Sequence, residues 1–341
     1  MLHARSLLAA SLLLATACAK QTDLDQIAPS ATTAQDAQTT LLTDQLVKPI
    51  GLSVDNRNRV WVSQSGTGQN DASVAVVTPN GDVQTAFVGF GSAVLPNGEL
   101  GALNHVLYRD GVLYILDGLN GRLYLADVSG YKNHDAPVAA STLPYISIKP
   151  FVLSQNLSTP LDSNLYDLTF GPDGHLYIAD AGANAIIKVN LATQALSVFA
   201  RIANITPPSA PNQIQPVPTG IIYDGSKFLV TTLTGFPFLA GAAKILQIST
   251  SGVVSDYRTG FTALTNLAPA GNGGLLVTEY GRFVFNPPTT VGWQPSTGRV
   301  ATDAGVTVAG GQDRITDIER LNPQFYYVLS NGAGTIQKLK Y

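Results

Sequence analysis

Cysteine is almost absent from this sequence, whose 341 residues contain a single one, Cys18. One cysteine excludes an intramolecular disulfide and a metal cluster built from cysteine ligands. Charged residues are also scarce, at 13%, and the formal net charge is −3. Because the chain contains no run of lysine or arginine, it has no basic field to hold nucleic acid, and we expect no nucleic-acid partner.

Motifs of familiar catalytic sites are missing as well. The sequence contains no Gly-x-Ser-x-Gly nucleophile elbow, no phosphate-binding glycine loop and no zinc motif. The composition instead offers 45% hydrophobic residues, 32 glycines and 20 prolines. This mixture is typical of many short strands joined by tight turns.

The beginning of the chain has the pattern of an export signal. Arg5 precedes an apolar stretch from Leu7 to Leu14, and small residues from Ala15 onward lead to Cys18. The pattern resembles the lipobox of bacterial lipoproteins, although Ala15 stands where leucine is more usual. This resemblance implies an exported protein of the cell envelope, periplasmic or at the cell surface, attached to the membrane only through lipid on Cys18. The alternative is an ordinary signal peptide with a chance cysteine.

We therefore expect three regions. Residues 1–17 form the signal peptide, and residues 18–38 form a flexible, lipid-anchored tether because they are rich in Ala, Thr, Gln and Asp and contain no aromatic residue. Residues 39–341 form the folded domain, expected to be monomeric.

The folded region repeats one pattern of four strands. In the third repeat, an apolar strand at 165–170 is followed by the turn Gly171-Pro172-Asp173-Gly174 and a second strand at 176–180. Two further apolar stretches follow at 185–189 and 195–199. An aromatic or large apolar anchor in the second strand recurs about every fifty residues. The anchors are Trp61, Tyr114, Tyr177, Leu229, Leu276 and Tyr327.

Six such repeats predict an all-β, six-bladed β-propeller with four-stranded blades. One interval is long, which we attribute to a loop insertion at 131–162. The last repeat ends after a third strand at 335–339, and a spare strand precedes the first repeat at 40–46. Pairing these two would close the ring without an open sheet edge. Two smaller all-β domains are the alternative.

Two segments carry a resemblance to a known family. These are Pro218-Thr219-Gly220 and Leu233-Thr234-Gly235-Phe236-Pro237-Phe238. They resemble the propeller family named after the D and E proteins of scytonemin biosynthesis, which is related to NHL-type propellers. The resemblance implies an exported propeller and, through the namesakes, extracytoplasmic assembly of an indole–phenol pigment. It supplies no catalytic residue.

Aligned repeats place two columns of polar or glycine residues at one end of the central channel, where the first strand begins and the second ends. The first column contains Gly51, His105, Asp167, Gly220, Asn266 and Asp317. The second column contains Gln64, Asp117, Asp180, Thr232, Glu279 and Ser330. Asp117 and Asp180 precede glycine-containing turns, so turn hydrogen bonds are an alternative role for them.

The columns predict a ligand site at the channel mouth that contains His105, Asp167, Asn266, Asp317 and Glu279. The first four could bind one divalent cation, since oxygen ligands favour Ca²⁺ or Mg²⁺ and the imidazole admits Zn²⁺ or Mn²⁺. One carboxylate acting as a base, or plain solvation of a wet channel, are the alternatives.

An aromatic rim is expected at the same mouth. Phe236 and Phe238 flank a proline between the second and third strands of the fourth repeat, where they could wall an aromatic ligand. The longer loop 280–295 would border the same region. The alternative is a loop pinned into the core by its own phenylalanines.

Two functional classes remain open from the sequence. One is a lipoprotein that binds a small molecule, aromatic or otherwise, or serves as a scaffold. The other is an enzyme, either a metal-assisted hydrolase of the lactonase type using Asn266, Glu279 and Asp317, or an extracytoplasmic assembly enzyme like the scytonemin namesakes.

Overall fold

The structure is a computed structural model that describes residues 37–96, 98–207, 212–271 and 273–341. The predicted signal peptide, Cys18 and nearly all of the predicted tether therefore lie outside the described residues. The described chain is a ring of six sheets, each with four antiparallel strands as its blade. Each innermost strand contacts the innermost strands of both neighbouring sheets, and the sixth contacts the first. The predicted six-bladed β-propeller is confirmed.

The chain enters the ring through β1 (Gln38–Thr43), which belongs to the last blade. Blade one contains β2 (Pro49–Val54), β3 (Val60–Gln64), β4 (Ala72–Val77) and β5 (Val83–Phe90). A small hairpin of β6 (Ala93–Val94) and β7 (Leu100–Gly101) leads to the next blade. Blade two contains β8 (Leu103–Arg109), β9 (Val112–Asp117), β10 (Arg122–Asp127) and β12 (Tyr145–Ser147).

Before and after β12 the chain forms β11 (Val138–Ala139), the 3₁₀ helix η1 (Ala140–Thr142) and the helix α1 (Lys149–Ser154). Blade three contains β13 (Leu165–Phe170), β14 (Leu176–Asp180), β15 (Ala185–Val189) and β16 (Leu196–Arg201). Blade four contains β17 (Pro218–Tyr223), β18 (Phe228–Thr232), β19 (Ala243–Ile248) and β20 (Val254–Phe261).

Blade five contains β21 (Leu264–Pro269), β22 (Leu275–Glu279), β25 (Gly298–Thr302) and β26 (Thr307–Gln312). A hairpin of β23 (Phe283–Asn286) and β24 (Thr290–Trp293) is inserted between its second and third strands. Blade six contains β27 (Ile315–Asn322), β28 (Phe325–Ser330) and β29 (Thr335–Lys340), with β1 as its outer strand.

Strand β1 closes the ring in the predicted way. It pairs antiparallel with β29, with Gln38 opposite Lys340 and Leu41 opposite Gln337. The strand begins two residues earlier than the sequence pattern indicated. This pairing covers an edge of β29 that would otherwise present unpaired backbone groups.

The supposed insertion at 131–162 is only partly an insertion. Its residues Tyr145–Ser147 form the fourth strand of blade two, against β10. Its residues Val138–Ala139 extend blade one by pairing in parallel with β5. The long repeat therefore supplies edge strands to two blades.

Packing between neighbouring blades forms the core. All six second-strand anchors are buried, and Trp61 and Leu276 are completely inaccessible. The turns that precede the anchors need glycine, since Gly174 has a φ of +75° and Gly225 a φ of +97°. Among the described residues, no helix is both long and apolar enough to cross a membrane.

Candidate functional site

The polar residues of the first column sit at an irregularity that is repeated in every blade. Pairing between the first and second strands shifts register at this level, for example between Leu165 and Asp167 and between Ile315 and Asp317. The other four inner strands have the same shift. A bulge re-aims the side chain next to it. It therefore accounts for polar side chains at the inner edge of otherwise apolar strands.

The structure brings four predicted residues together at the centre, and we call His105, Asp167, Asn266 and Asp317 the polar ring. Each exposes between 1% and 7% of its surface. The side-chain amide of Asn266 donates to Nε2 of His105 (3.1 Å) and to Oδ1 of Asp317 (2.6 Å). His105 and Asp317 are thus joined through Asn266, although they come from opposite halves of the chain.

Hydrogen bonding specifies the form of His105. Its Nδ1 lies 2.9 Å from the carbonyl oxygen of Tyr166, which can only accept, so Nδ1 carries a proton. Its Nε2 accepts from Asn266. These two contacts fix the orientation of the imidazole, and its Nε2 also lies 3.6 Å from Oδ2 of Asp317.

Backbone amides of the following blade hold the two aspartates. Asp317 Oδ2 accepts from the backbone N–H of Leu52 (2.6 Å), and Asp167 Oδ2 accepts from that of Ile221 (2.9 Å). Leu52 and Ile221 each follow a glycine, Gly51 or Gly220. A side chain on Gly51 would overlap His105, and one on Gly220 would overlap Asn266. The column therefore repeats every three blades, as Gly-His-Asp and then Gly-Asn-Asp.

Burial makes the acids of this region harder to ionise. It raises the pKa of Asp317 to about 7, helped by the charge of Asp167 and opposed by His105. Burial also raises the pKa of Asp167. Glu319, two residues beyond Asp317, has its pKa raised to about 8, again chiefly by burial. Near neutral pH Asp317 and Glu319 can therefore both hold and release protons.

A cavity of about 290 Å³ lies against the polar ring. Its lining consists of ring residues and of residues that follow them along the inner strands, such as Leu107, Thr169, Ile222 and Glu319. The cavity thus extends from the ring toward the ends of the inner strands. The sequence-based expectation placed the site at their beginnings, so the cavity lies on the opposite side.

Tyr166 explains part of this difference. It precedes Asp167 in β13, and its ring packs against His105 with centroids 4.7 Å apart. Burial, and next the charge of Asp317, raise the pKa of Tyr166 well above its ordinary value. Tyr166 therefore covers the polar ring on the side where the inner strands begin.

The second column does not join the polar ring. Asp180 accepts from Ser163 Oγ (2.6 Å) and from backbone amides of Asn164 and Ala183, and Asp117 accepts from Asn120. The bonds from Ala183 and from Asn120 are turn hydrogen bonds, the alternative role given above, whereas Ser163 and Asn164 reach Asp180 from the segment before β13. Glu279 forms an ion pair with Arg299, with 2.7 Å between Oε2 and Nε. It lines no part of the cavity.

A metal does not fit the polar ring well. The amide nitrogen of Asn266, not its oxygen, faces His105 and Asp317, while Asn266 Oδ1 accepts from the backbone of Leu267 (2.5 Å). Among the described residues, no three His, Cys, Asp or Glu side chains are grouped so as to hold a metal ion. The cation site suggested by the sequence stays a prediction, and we derive no chemistry from it.

The predicted aromatic residues form a separate cluster on the side where the inner strands begin. Phe238 lies 4.7 Å from Trp293 and 5.0 Å from Phe283 between ring centroids, and Phe236 lies 5.0 Å from Phe285. The partners belong to the β23–β24 hairpin, within the loop expected to border this region. Since the cavity lies on the other side of the ring, these phenylalanines do not wall it.

Two residues next to the polar ring, Glu319 and Tyr166, are missing from the site predicted from the sequence. Glu319 follows Asp317 by two positions, so strand alternation points both side chains the same way. The two-residue spacing was therefore a usable signal for Glu319, but each column contains only one residue per strand. Tyr166 stands where three other blades have threonine, and its size alone gave no indication that it would cover His105.

Comparison with known proteins places the chain by fold. No family model and no curated protein matches it. Virginiamycin B lyase from Staphylococcus aureus has 14% identity and a TM-score of 0.51, over 90% of this chain and 99% of that chain. A luciferin-regenerating enzyme has 12% identity and a TM-score of 0.56, over 90% and 96%.

A gluconolactonase from Xanthomonas campestris has 12% identity and a TM-score of 0.52, over 92% of each chain. At these identities the similarity shows a shared β-propeller fold and nothing finer. Membership of the scytonemin-type family stays a prediction.

Proposed function

We propose that this propeller binds a small, largely apolar molecule in its central cavity, with the polar end of the molecule against His105, Asn266 and Asp317. The observation that carries the proposal is a cavity of about 290 Å³ whose aliphatic walls end on a buried, hydrogen-bonded polar ring. Mostly apolar walls with a few convergent polar groups are typical of small-molecule sites.

The test is occupancy of the cavity by a neutral probe such as cyclohexylmethanol, measured by ligand-observed NMR. Thr169 is half-buried and borders the cavity, so Thr169→Phe should fill it and weaken binding about tenfold or more. Thr85→Phe, at an exposed position of β5, is the matched control and should bind like the parent. Binding that persists unchanged in Thr169→Phe contradicts the proposal.

An enzyme acting on the same molecule is the second candidate. It is favoured by Asp317, whose pKa of about 7 suits a group that both accepts and donates a proton near neutral pH. Some structural neighbours are named as lactonases or lyases. The metal-assisted version is weakened because Glu279 is paired with Arg299 outside the cavity. Assembly chemistry like that of the scytonemin namesakes rests on the sequence resemblance alone.

For location, we propose an exported, monomeric lipoprotein of the cell envelope, anchored through Cys18. Its support is the signal-like sequence and the single cysteine directly after Ala15-Thr16-Ala17. Cys18→Ser should move the protein from the membrane fraction to the soluble fraction, because the acyl chains would be lost. Thr16→Ser keeps the small-residue pattern and should remain with the membrane. Retention of Cys18→Ser in the membrane fraction contradicts the anchor.

A further inference from the structure

The wall of the cavity is apolar on some blades and acidic on another, and this difference bears on the kind of ligand that the proposed site would bind. Two residues beyond each column position, a second set of residues lines the cavity. This set consists of Ser53, Leu107, Thr169, Ile222, Ala268 and Glu319. Leu107, Ile222 and Ala268 give blades two, four and five apolar walls. Blade six, by contrast, presents a carboxyl group.

Three carboxyl groups reach the cavity from two opposite sides. Asp317 and Glu319 belong to blade six, and Asp167 belongs to blade three, half-way around the ring. Glu319 Oε2 accepts from the backbone N–H of Val54 (3.1 Å), much as Asp317 accepts from Leu52. A molecule in the cavity therefore lies between acids.

Lysine and arginine do not balance these acids. Among the described residues, Asp167, Asp317 and Glu319 form no ion pair with either residue type. Nε2 of His105 lies 3.6 Å from Oδ2 of Asp317, so a protonated His105 would balance only one of the three carboxyl groups. The one arginine of the lining, Arg320, donates through Nε to the carbonyl oxygen of Asn322 (3.3 Å).

Carboxylates that are buried without a counter-charge are costly, and backbone amides offset only part of the cost. The raised pKa values of Asp317 and Glu319 express the same imbalance. A positive group placed in the cavity would restore the balance, whereas an anion would add to the repulsion.

We infer that the natural ligand carries a positively charged nitrogen, as in a primary or secondary ammonium group, between Asp167 on one side and Asp317 with Glu319 on the other. Its apolar part packs against Leu107 and Ile222. The inference rests on the proposed function, since it concerns the ligand of the same cavity, and it narrows that ligand to apolar amines.

The test compares two probes of nearly equal shape, cyclohexylmethylammonium and cyclohexylmethanol, by isothermal titration with the full-length protein at pH 9, where both Asp317 and Glu319 are ionised. We expect the ammonium to bind about tenfold more tightly or better. Glu319→Gln keeps the side-chain shape and should weaken ammonium binding about five- to tenfold while leaving alcohol binding within about twofold. Because the replacement is isosteric and removes a carboxyl group whose ionisation burial opposes, the variant should fold.

Asp256→Asn removes an exposed carboxyl group that pairs with Lys244 far from the cavity, and both probes should bind it as they bind the parent. Alcohol binding equal to ammonium binding overturns the inference and leaves the proposed function standing. Failure of both probes to bind overturns both. An equal loss of ammonium binding in Glu319→Gln and Asp256→Asn also overturns the inference, since it would indicate a general charge effect.

Discussion

Backbone amides, rather than cationic side chains, hold the acids of the polar ring. Asp167 and Asp317 each accept from their own strand and from the next blade, so each links two blades. This use of aspartate explains how acids can be buried in a chain with few charges. It leaves their protonation sensitive to pH, because hydrogen bonds from neutral amides stabilise the charged form only partly.

This sensitivity predicts how stability changes with pH. Asp317 and Glu319 keep protons up to about pH 7 and 8 in the folded protein, whereas the unfolded chain loses them near pH 4. Between these limits the folded state binds more protons, so the free energy of unfolding must fall as pH rises. The melting temperature, followed by circular dichroism, should decrease from pH 5 to pH 8.5.

Glu319→Gln removes one of the two groups and should flatten that decrease. Asp173→Asn is the control, because the pKa of Asp173 is lowered to about 2, mainly through Lys188 and nearby hydrogen bonds against the opposing effect of burial. Loss of that carboxyl group should leave the slope between pH 5 and 8.5 as in the parent. If the melting temperatures of Glu319→Gln and the parent decreased equally from pH 5 to 8.5, this account would be refuted.

At the level of single strands, predictability depended on strand length. The first and second strands of each blade alternate around a tight turn, so they could be located from patterns such as Leu165–Asp180. Strand β12 has three residues between Pro144 and a helix, too few for a period-two pattern, so the sequence predicts an insertion there instead of a strand. The sequence likewise predicts a loop, not a hairpin, where β23 and β24 lie.

The four residues of the polar ring were predictable from the sequence, but the rest of the cavity lining and the side on which the cavity opens were not. Column alignment identified all four members of the polar ring because the same bulge recurs in each blade. Which side of the ring is open depends on the packing of individual large side chains, above all Tyr166 over His105. Periodicity carries no information about such packing, so the sequence predicts the site beside the aromatic cluster, whereas the cavity described above lies on the other side of the polar ring.

On the scale of the whole molecule, one strand pairing joins the two ends of the folded ring. The contact between β1 and β29 gives blade six its outer strand, and Leu42 packs against the core cluster shared by blades six and one. Leu46 continues this contact through a backbone hydrogen bond from its N–H to Gly334 (3.1 Å). Closure of the ring thus combines sheet pairing with core packing.

Two truncations distinguish the contribution of β1 to ring closure from that of the segment before it. A chain that begins at residue 37 keeps β1 and should melt cooperatively, at nearly the temperature of the longer protein. A chain that begins at residue 47 exposes the edge of β29 and loses the buried Leu46. With several backbone hydrogen bonds at about 1 kcal/mol each, the second truncation should lose roughly 3 kcal/mol or more of unfolding free energy. It should also associate through the open edge, as measured by light scattering. Equal stability of the two truncations would show that β1 contributes little to closing the ring.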